Sequence, residues 1–239
     1  MSLGVGLTIA IGGTVIVAAL IIWLITWLGR SNKAAEEKAL TRLREEIPKR
    51  GWTYEESNDS FVEMFNAQPQ FQVIGNPFEP FVGKPEALRA REVITGVHRN
   101  RPFLAAQFDV QHKGQVFPVP AVWIRLPSMR PWLSVKRVLE AQSRIRSATG
   151  QGDIALGYPG FDERFQVDCE DERFARAVIT PQVAAFLMNA PTEVTGFAVY
   201  GDQFNLNDRI NDHRDPAELI PALDLRCDLL DLIPAMVWT

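Results

Sequence analysis

From Leu3 to Leu28 the chain carries no charged residue, and that run constrains everything after it. As a helix rising ~1.5 Å per residue it reaches roughly 39 Å, enough to cross a ~30 Å hydrocarbon core with tilt to spare. A secretory signal would open on a basic segment, run shorter and close on a small-x-small cleavage site. Met1-Ser2 offers no base, and Trp27-Leu28-Gly29-Arg30 is a poor cleavage site. A core helix this uniformly apolar fits badly with a remainder that is ordinarily polar. The run therefore predicts an uncleaved transmembrane anchor over residues 1–30, a juxtamembrane helix over 31–50 and a domain over 51–239.

Charge sets the expected side. No Lys or Arg precedes the span, whereas Arg30, Lys33, Lys38, Arg42 and Arg44 follow it. The positive-inside rule then puts the amino terminus outside and the domain in the cytoplasm, with the bilayer as its first partner. Trp23 and Trp27 fit the aromatic belt at that interface. Two cysteines, Cys169 and Cys227, give no disulfide framework. Within the span, Gly6, Ala10, Thr14 and Ala18 recur every four residues on one face. Small side chains let helices approach closely, which predicts a homodimer or a membrane-protein partner through this face.

Net charge is −4, unevenly spread. Residues 1–150 hold 19 Lys+Arg against 13 Asp+Glu, and residues 151–239 hold 6 against 16. A basic half beside an anionic leaflet is electrostatically sensible, and two solvated faces of uneven charge is the plainer reading. The segment 125–146 concentrates Arg125, Arg130, Lys136, Arg137, Arg144 and Arg146 against one acid. It predicts a lipid-facing patch more readily than a nucleic-acid surface, because nucleic acid would have to overcome an acidic domain. The bland alternative is ordinary strand and loop surface.

The local patterns predict an α+β domain built on an antiparallel sheet packed by helices. Ser31 to Ile47 reads as a helix stopped by Pro48, and Phe61, Met64 and Phe65 sit at helical spacing. The stretches REVITGVH, FLAAQFDVQH and QVFPVPAVWIRL, split by RNRP and Lys113-Gly114, read as a meander with Asn100 suited to positive φ. Pro118 and Pro120 lack amide protons on one side of their strand, so that side should be a sheet edge. WLSVKRV reads as another strand, FDERFQV as an alternating strand, and TGFAVYGDQFNL as a closing hairpin. Asp171 and Thr180 are expected to cap short helices, with Pro181 at the first position of the second. Asp215, Pro216 and Glu218 have capping-box spacing. Leu219, Leu223, Cys227 and Leu230 form an apolar stripe, and Pro221 within it predicts a kink or a later start.

Chemistry is sparse. His98 and His112 flank one hairpin and could share a sheet surface, but no Cys or acid joins them at metal-ligand spacing. NLNDRINDHRDP gathers Asn205, Asn207, Asp208, Asn211, Asp212 and Asp215, yet Ile210 stands where a calcium loop needs Gly. Asp168, Glu170 and Asp171 disfavour a thiolate at Cys169. No nucleophile elbow, phosphate-binding loop or Cys-x-x-Cys is present. The expectation is a chain without a cofactor or metal and without catalysis: a tethered interaction or scaffold domain. The alternative is a membrane-associated enzyme or small-ligand protein using the sheet histidines.

Four phrases together carry a resemblance: RGWTY (Arg50–Tyr54), VITGVHRNRPF (Val93–Phe103), FDERFQV (Phe161–Val167) and ITPQVAAFL (Ile179–Leu187). The set resembles a family of uncharacterised membrane-anchored proteins common in actinobacteria, over most of residues 40–237. The family's hairpin has an Arg-Gly-Arg turn, where Asn100 stands here. The resemblance implies a bacterial plasma-membrane protein and no catalytic residues.

Overall fold

The computed structural model describes residues 36–68, 85–138 and 154–238. The predicted anchor, its small-residue face and both Arg144 and Arg146 lie outside these. Among the described residues no helix is long and apolar enough to cross a membrane. The chain divides into two compact units, Met1–Glu45 and Glu46–Thr239. Helix α1, described from residue 36, runs to residue 50 and does not stop at Pro48. A proline forfeits one helical hydrogen bond, but Glu46 pairs with Lys49 at 3.0 Å and Arg50 at 2.8 Å across the same turn.

The second unit carries six antiparallel strands: β1 (Thr53–Ser57), β2 (Glu86–His98), β3 (Arg101–His112), β4 (Gln115–Arg137), β5 (Phe165–Cys169) and β6 (Gly196–Asn207). The helices are α2 (Val62–Asn66), α3 (Phe161–Arg164), α4 (Glu172–Val178), α5 (Pro181–Asn189) and α6 (Pro216–Asp231). A 3-10 turn spans Ala235–Trp238. This is the α+β architecture that the patterns predict. Both tight turns use left-handed backbone at two positions, Arg99 and Asn100 in one, Lys113 and Gly114 in the other. That geometry matches the twist of the strands it joins.

β4 organises the sheet. Its first half pairs with β3 from Gln115 to Ile124, and its last turns, Leu133–Arg137, pair with β5 instead. β6 lies along its other side only from Trp123 onward. The predicted separate strand at WLSVKRV is thus the far end of β4, and TGFAVYGDQFNL is one strand, not a hairpin. A local pattern cannot show this, because β4's two halves change partners without changing direction. Gly196 is required where β6 begins: a Cβ there would lie 1.9 Å from the Val135 carbonyl oxygen.

Between Gln115 and Val122 the side of β4 away from β3 has no paired strand among the described residues. The Val122 carbonyl on that side accepts from Arg226 Nε at 2.9 Å. Backbone groups face the same side at every second residue, so Pro118 and Pro120 share this edge. Two missing donors blunt it against further strand addition.

On one face of the sheet, α2 packs Phe65 against Phe108 (4.4 Å between centroids) and Trp123 (6.2 Å). Leu104, Ala106 and Val110 complete that core. α6 anchors to the β2–β3 turn and to β4. It starts at Pro216 and runs through Pro221, so no later start occurs. Buried Leu219, Leu223, Cys227 and Leu230 hold it by tertiary packing, which outweighs one lost backbone bond. Asp215 caps it through the Ala217 amide at 2.9 Å. Glu218 does not close a capping box; it reaches back to the amides of Asn211 and Asp212 at 2.8 and 3.2 Å. Asp171 caps α4 and Thr180 caps α5, with Pro181 at the first helical position as expected.

Arg226 is 1% exposed and fully engaged. It forms a two-pronged pair with Asp208 at 2.7 and 2.8 Å and donates to the carbonyls of Val122, Ala222 and Leu206. Removing one partner leaves a buried charge unpaired, which costs about 3–5 kcal/mol. Asp208→Ala is therefore expected to lower unfolding free energy by about that amount in a urea titration. A loss under 1 kcal/mol would show that the pair is dispensable.

Candidate functional site

His98 and His112 do not form a site. They stand at opposite ends of β3's length, beside its first and second turns, roughly 35 Å apart at ~3.3 Å per residue. His98 Nε2 lies 2.8 Å from the Asp224 carboxylate on α6. Its neighbours extend the contact: Arg99 reaches Asp228 and Asp231 at 2.5 Å each, and Arg101 reaches Asp231 at 2.6 Å. Asp224, Asp228 and Asp231 recur at helical spacing, a stripe the sequence displays and the apolar pattern beside it obscures. These pairs are partly exposed and orient the turn on α6 more than they stabilise it.

A second polar cluster surrounds a bulge in β2. Arg91 pairs with Gln107 and Ile94 with Ala105, so Glu92 and Val93 together oppose Ala106. Glu92 adopts φ 52° there, a left-handed conformation unusual for a side-chain-bearing residue. Its carboxylate accepts from the Tyr54 hydroxyl, whose pKa is pushed up by burial and by that bond. Its carbonyl accepts from His213 Nε2 at 2.7 Å. Tyr54, Glu92 and His213 meet here, and each is spent on fixing the bulge and the loop before α6.

The acidic loop is likewise committed to structure. Asp208 holds Arg226, Asp212 pairs with Arg214 at 2.8 Å, and Asp215 caps α6. Among the described residues no cluster of His, Cys and carboxylates could hold a metal ion. Burial raises the pKa of both Cys169 and Cys227, with Asp171 and Glu170 adding to the effect at Cys169.

The basic segment also divides. Arg125 is exposed and paired with Asp202 at 2.7 Å. Lys136 is exposed, whereas its strand neighbour Arg137 turns to the opposite face, over the Phe165 ring at 5.2 Å. Arg130 is half-buried, with Nε and Nη2 lacking partners. The four described members do not share one surface, because alternate residues of a strand point to opposite faces.

What remains open is a groove beside the middle of β4. Arg125 pairs with Gln203 and Arg130 with Gly201, so four residues, Leu126–Met129, oppose Asp202 alone. This excursion walls a cavity of about 650 Å³ together with Arg101, Leu230 and Trp238. Ser128 Oγ ties it to the carboxyl-terminal turn by donating to the Trp238 carbonyl at 2.7 Å. A second cavity of about 290 Å³ lies on the opposite, α2-covered face of the sheet, with Pro102, Arg125 and Asp202 in the lining of both. Its floor is the cross-strand row Thr95, Leu104, Trp123, and Phe61 just before α2 and Met64 within it form its wall. Sequence reading missed this groove, because a four-to-one mismatch between strands leaves no local signature.

No family model matches the chain, and no curated protein matches it. The chain is similar to a solved structure. The crystal structure of the mycobacterial trehalose monomycolate transport factor A, TtfA, aligns with a TM-score of 0.51 at 13% identity. The alignment covers 82% of this chain and 96% of that one. At that identity the likeness concerns the fold, and it agrees with the antiparallel α+β architecture.

Burial pushes the pKa of His213 below its ordinary value of 6.5. The unfolded chain takes up a proton below about pH 6.5 and the folded chain resists it, so this imidazole's contribution is present at neutral pH and lost on acidification. Unfolding free energy is expected to fall between pH 7 and 5, with a shallower slope in His213→Gln. Equal slopes in urea titrations would assign the pH dependence elsewhere.

Proposed function

We propose that this chain is a membrane-tethered, non-catalytic accessory domain in the transport of an amphiphilic lipid. The observation that carries the reading is how the polar side chains are spent. The two polar clusters that could have served catalysis instead brace a turn and a bulge, while an open groove with Leu126 and Leu230 at its base is left beside β4. The uncharged run Leu3–Leu28 supports a single-pass anchor, and the basic residues after it support a cytoplasmic domain. The small-residue face of that run supports a homodimer or a membrane-protein partner. The fold likeness to a protein titled a trehalose monomycolate transport factor favours lipid transport among the tasks of a tethered module.

Depleting the protein in its host is expected to redistribute at least one envelope glycolipid between inner and outer extracts on thin-layer chromatography. Proximity labelling from the full chain is expected to enrich a membrane transporter. An unchanged lipid distribution together with no specific partner would overturn the reading.

A further inference from the structure

We propose that the fork where β6 parts from β4 binds a neutral, polyhydroxylated small molecule, a monosaccharide or disaccharide. This cavity is distinct from the groove behind the transport reading, and the inference does not depend on that reading.

The β4–β6 ladder ends at the pair Trp123–Asn205. Beyond it, among the described residues, the two strands no longer pair, and between them lies a cavity of about 340 Å³. Cavities of ~300–1,000 Å³ are the size that holds small molecules. Arg226 lines it and bridges the two strands, donating to the Val122 carbonyl on one and the Leu206 carbonyl on the other. Pro120 and Ala121 line the β4 side, and Asn205 and Asn207 line the β6 side.

The buried charges in this fork are already engaged. Arg226 uses all five donors, and both oxygens of Asp208 accept from it. A charged ligand would have to compete with that pair and leave one buried ion alone, which is strongly unfavourable. On the exposed rim Glu193 and Arg209 carry opposite signs and favour neither an anion nor a cation.

The uncharged polar groups, by contrast, are available. Asn205 and Asn207 are half-buried and share one face of β6, roughly 7 Å apart at ~3.3 Å per residue. Neither carboxamide has a hydrogen-bond partner among the described residues. Each offers two donors and an acceptor, and Pro120, facing the same edge as Val122, adds a carbonyl without an amide proton. Donors and acceptors without charge complement neighbouring hydroxyl groups, each of which both donates and accepts. Half-buried Val119, Ala121 and Ile210 supply apolar surface for the C–H side of a ring. An extended peptide is served badly, because its carbonyls would meet Pro118 and Pro120 where a ladder needs amide donors.

The test titrates glucose, galactose, maltose and sucrose into the full chain in lipid nanodiscs, with its asparagines labelled with nitrogen-15 for NMR. At least one sugar should bind with a Kd of about 1 mM or tighter. It should shift the side-chain amide signals of Asn205 and Asn207, assigned by their loss in Asn205→Ala and Asn207→Ala. The double variant should weaken binding at least 10-fold with an unchanged melting temperature, since neither side chain holds a partner. Glucuronate, glucosamine and N-acetylalanine methylamide should each bind at least 10-fold more weakly than that sugar. Absence of binding by every sugar, or shifts confined to other asparagines, would overturn the site. Equal binding of glucuronate or glucosamine would overturn the neutral-ligand assignment, and equal binding of the alanine amide would assign the fork to peptide instead. If the double variant fails to fold, the shifts and the affinity series on the natural chain decide alone.

Discussion

The sheet's central strand ends one partnership and begins another around a single buried cation. Arg226 takes the Val122 carbonyl on the unpaired side of β4 and the Leu206 carbonyl near the end of β6, and it locks Asp208 beyond that. It also donates to Ala222 on its own helix, so α6, β4 and β6 meet at one guanidinium. A planar fork with five donors suits this junction; an ammonium could not satisfy carbonyls and a two-oxygen carboxylate at once. Desolvating both ions is expensive, and the junction offsets it only because all five guanidinium donors find acceptors. The position of α6, and through it the β2–β3 turn, depends on that bookkeeping.

The charge asymmetry of the sequence follows from the same packing. Residues 151–239 carry an excess of acid, and residues 1–150 an excess of base. Asp202, Asp224, Asp228 and Asp231 from the acidic half face Arg125, His98, Arg99 and Arg101 from the basic one. Much of what reads along the chain as a basic surface awaiting an anionic partner is neutralised within the fold. Charge counted by position in sequence predicts a partner only when the fold leaves it uncovered.

Legibility tracked how local each determinant is. Helix caps at Asp171, Thr180 and Asp215 were readable because a cap and its amides lie within three residues of each other. The left-handed position of Asn100 and the edge at Pro118 and Pro120 were readable for the same reason: each follows from one residue's own backbone chemistry. Misreadings arose where a distant element decides. QVFPVPAVWIRL and WLSVKRV read as two strands, but β6 and then β5 continue the ladder of a single β4 through both. Pro48 and Pro221 looked like helix limits, and packing or ion pairs carried both helices through. The histidines looked like a pair because they flank one hairpin, although a strand's full length separates them.

The groove shows the same limit in its sharpest form. Its polar end exists because β4 spends four residues where β6 spends one, and the partner residue, Asp202, lies more than seventy positions away in sequence. The smaller cavity on the opposite face exists because the short α2 packs Phe65 on Phe108 and leaves Thr95 half-covered. Neither fact belongs to a motif, and residue types alone assign these positions to ordinary strand and core. The lining of this groove can therefore be changed by substitutions at Leu126–Met129 while the ladder on either side is kept.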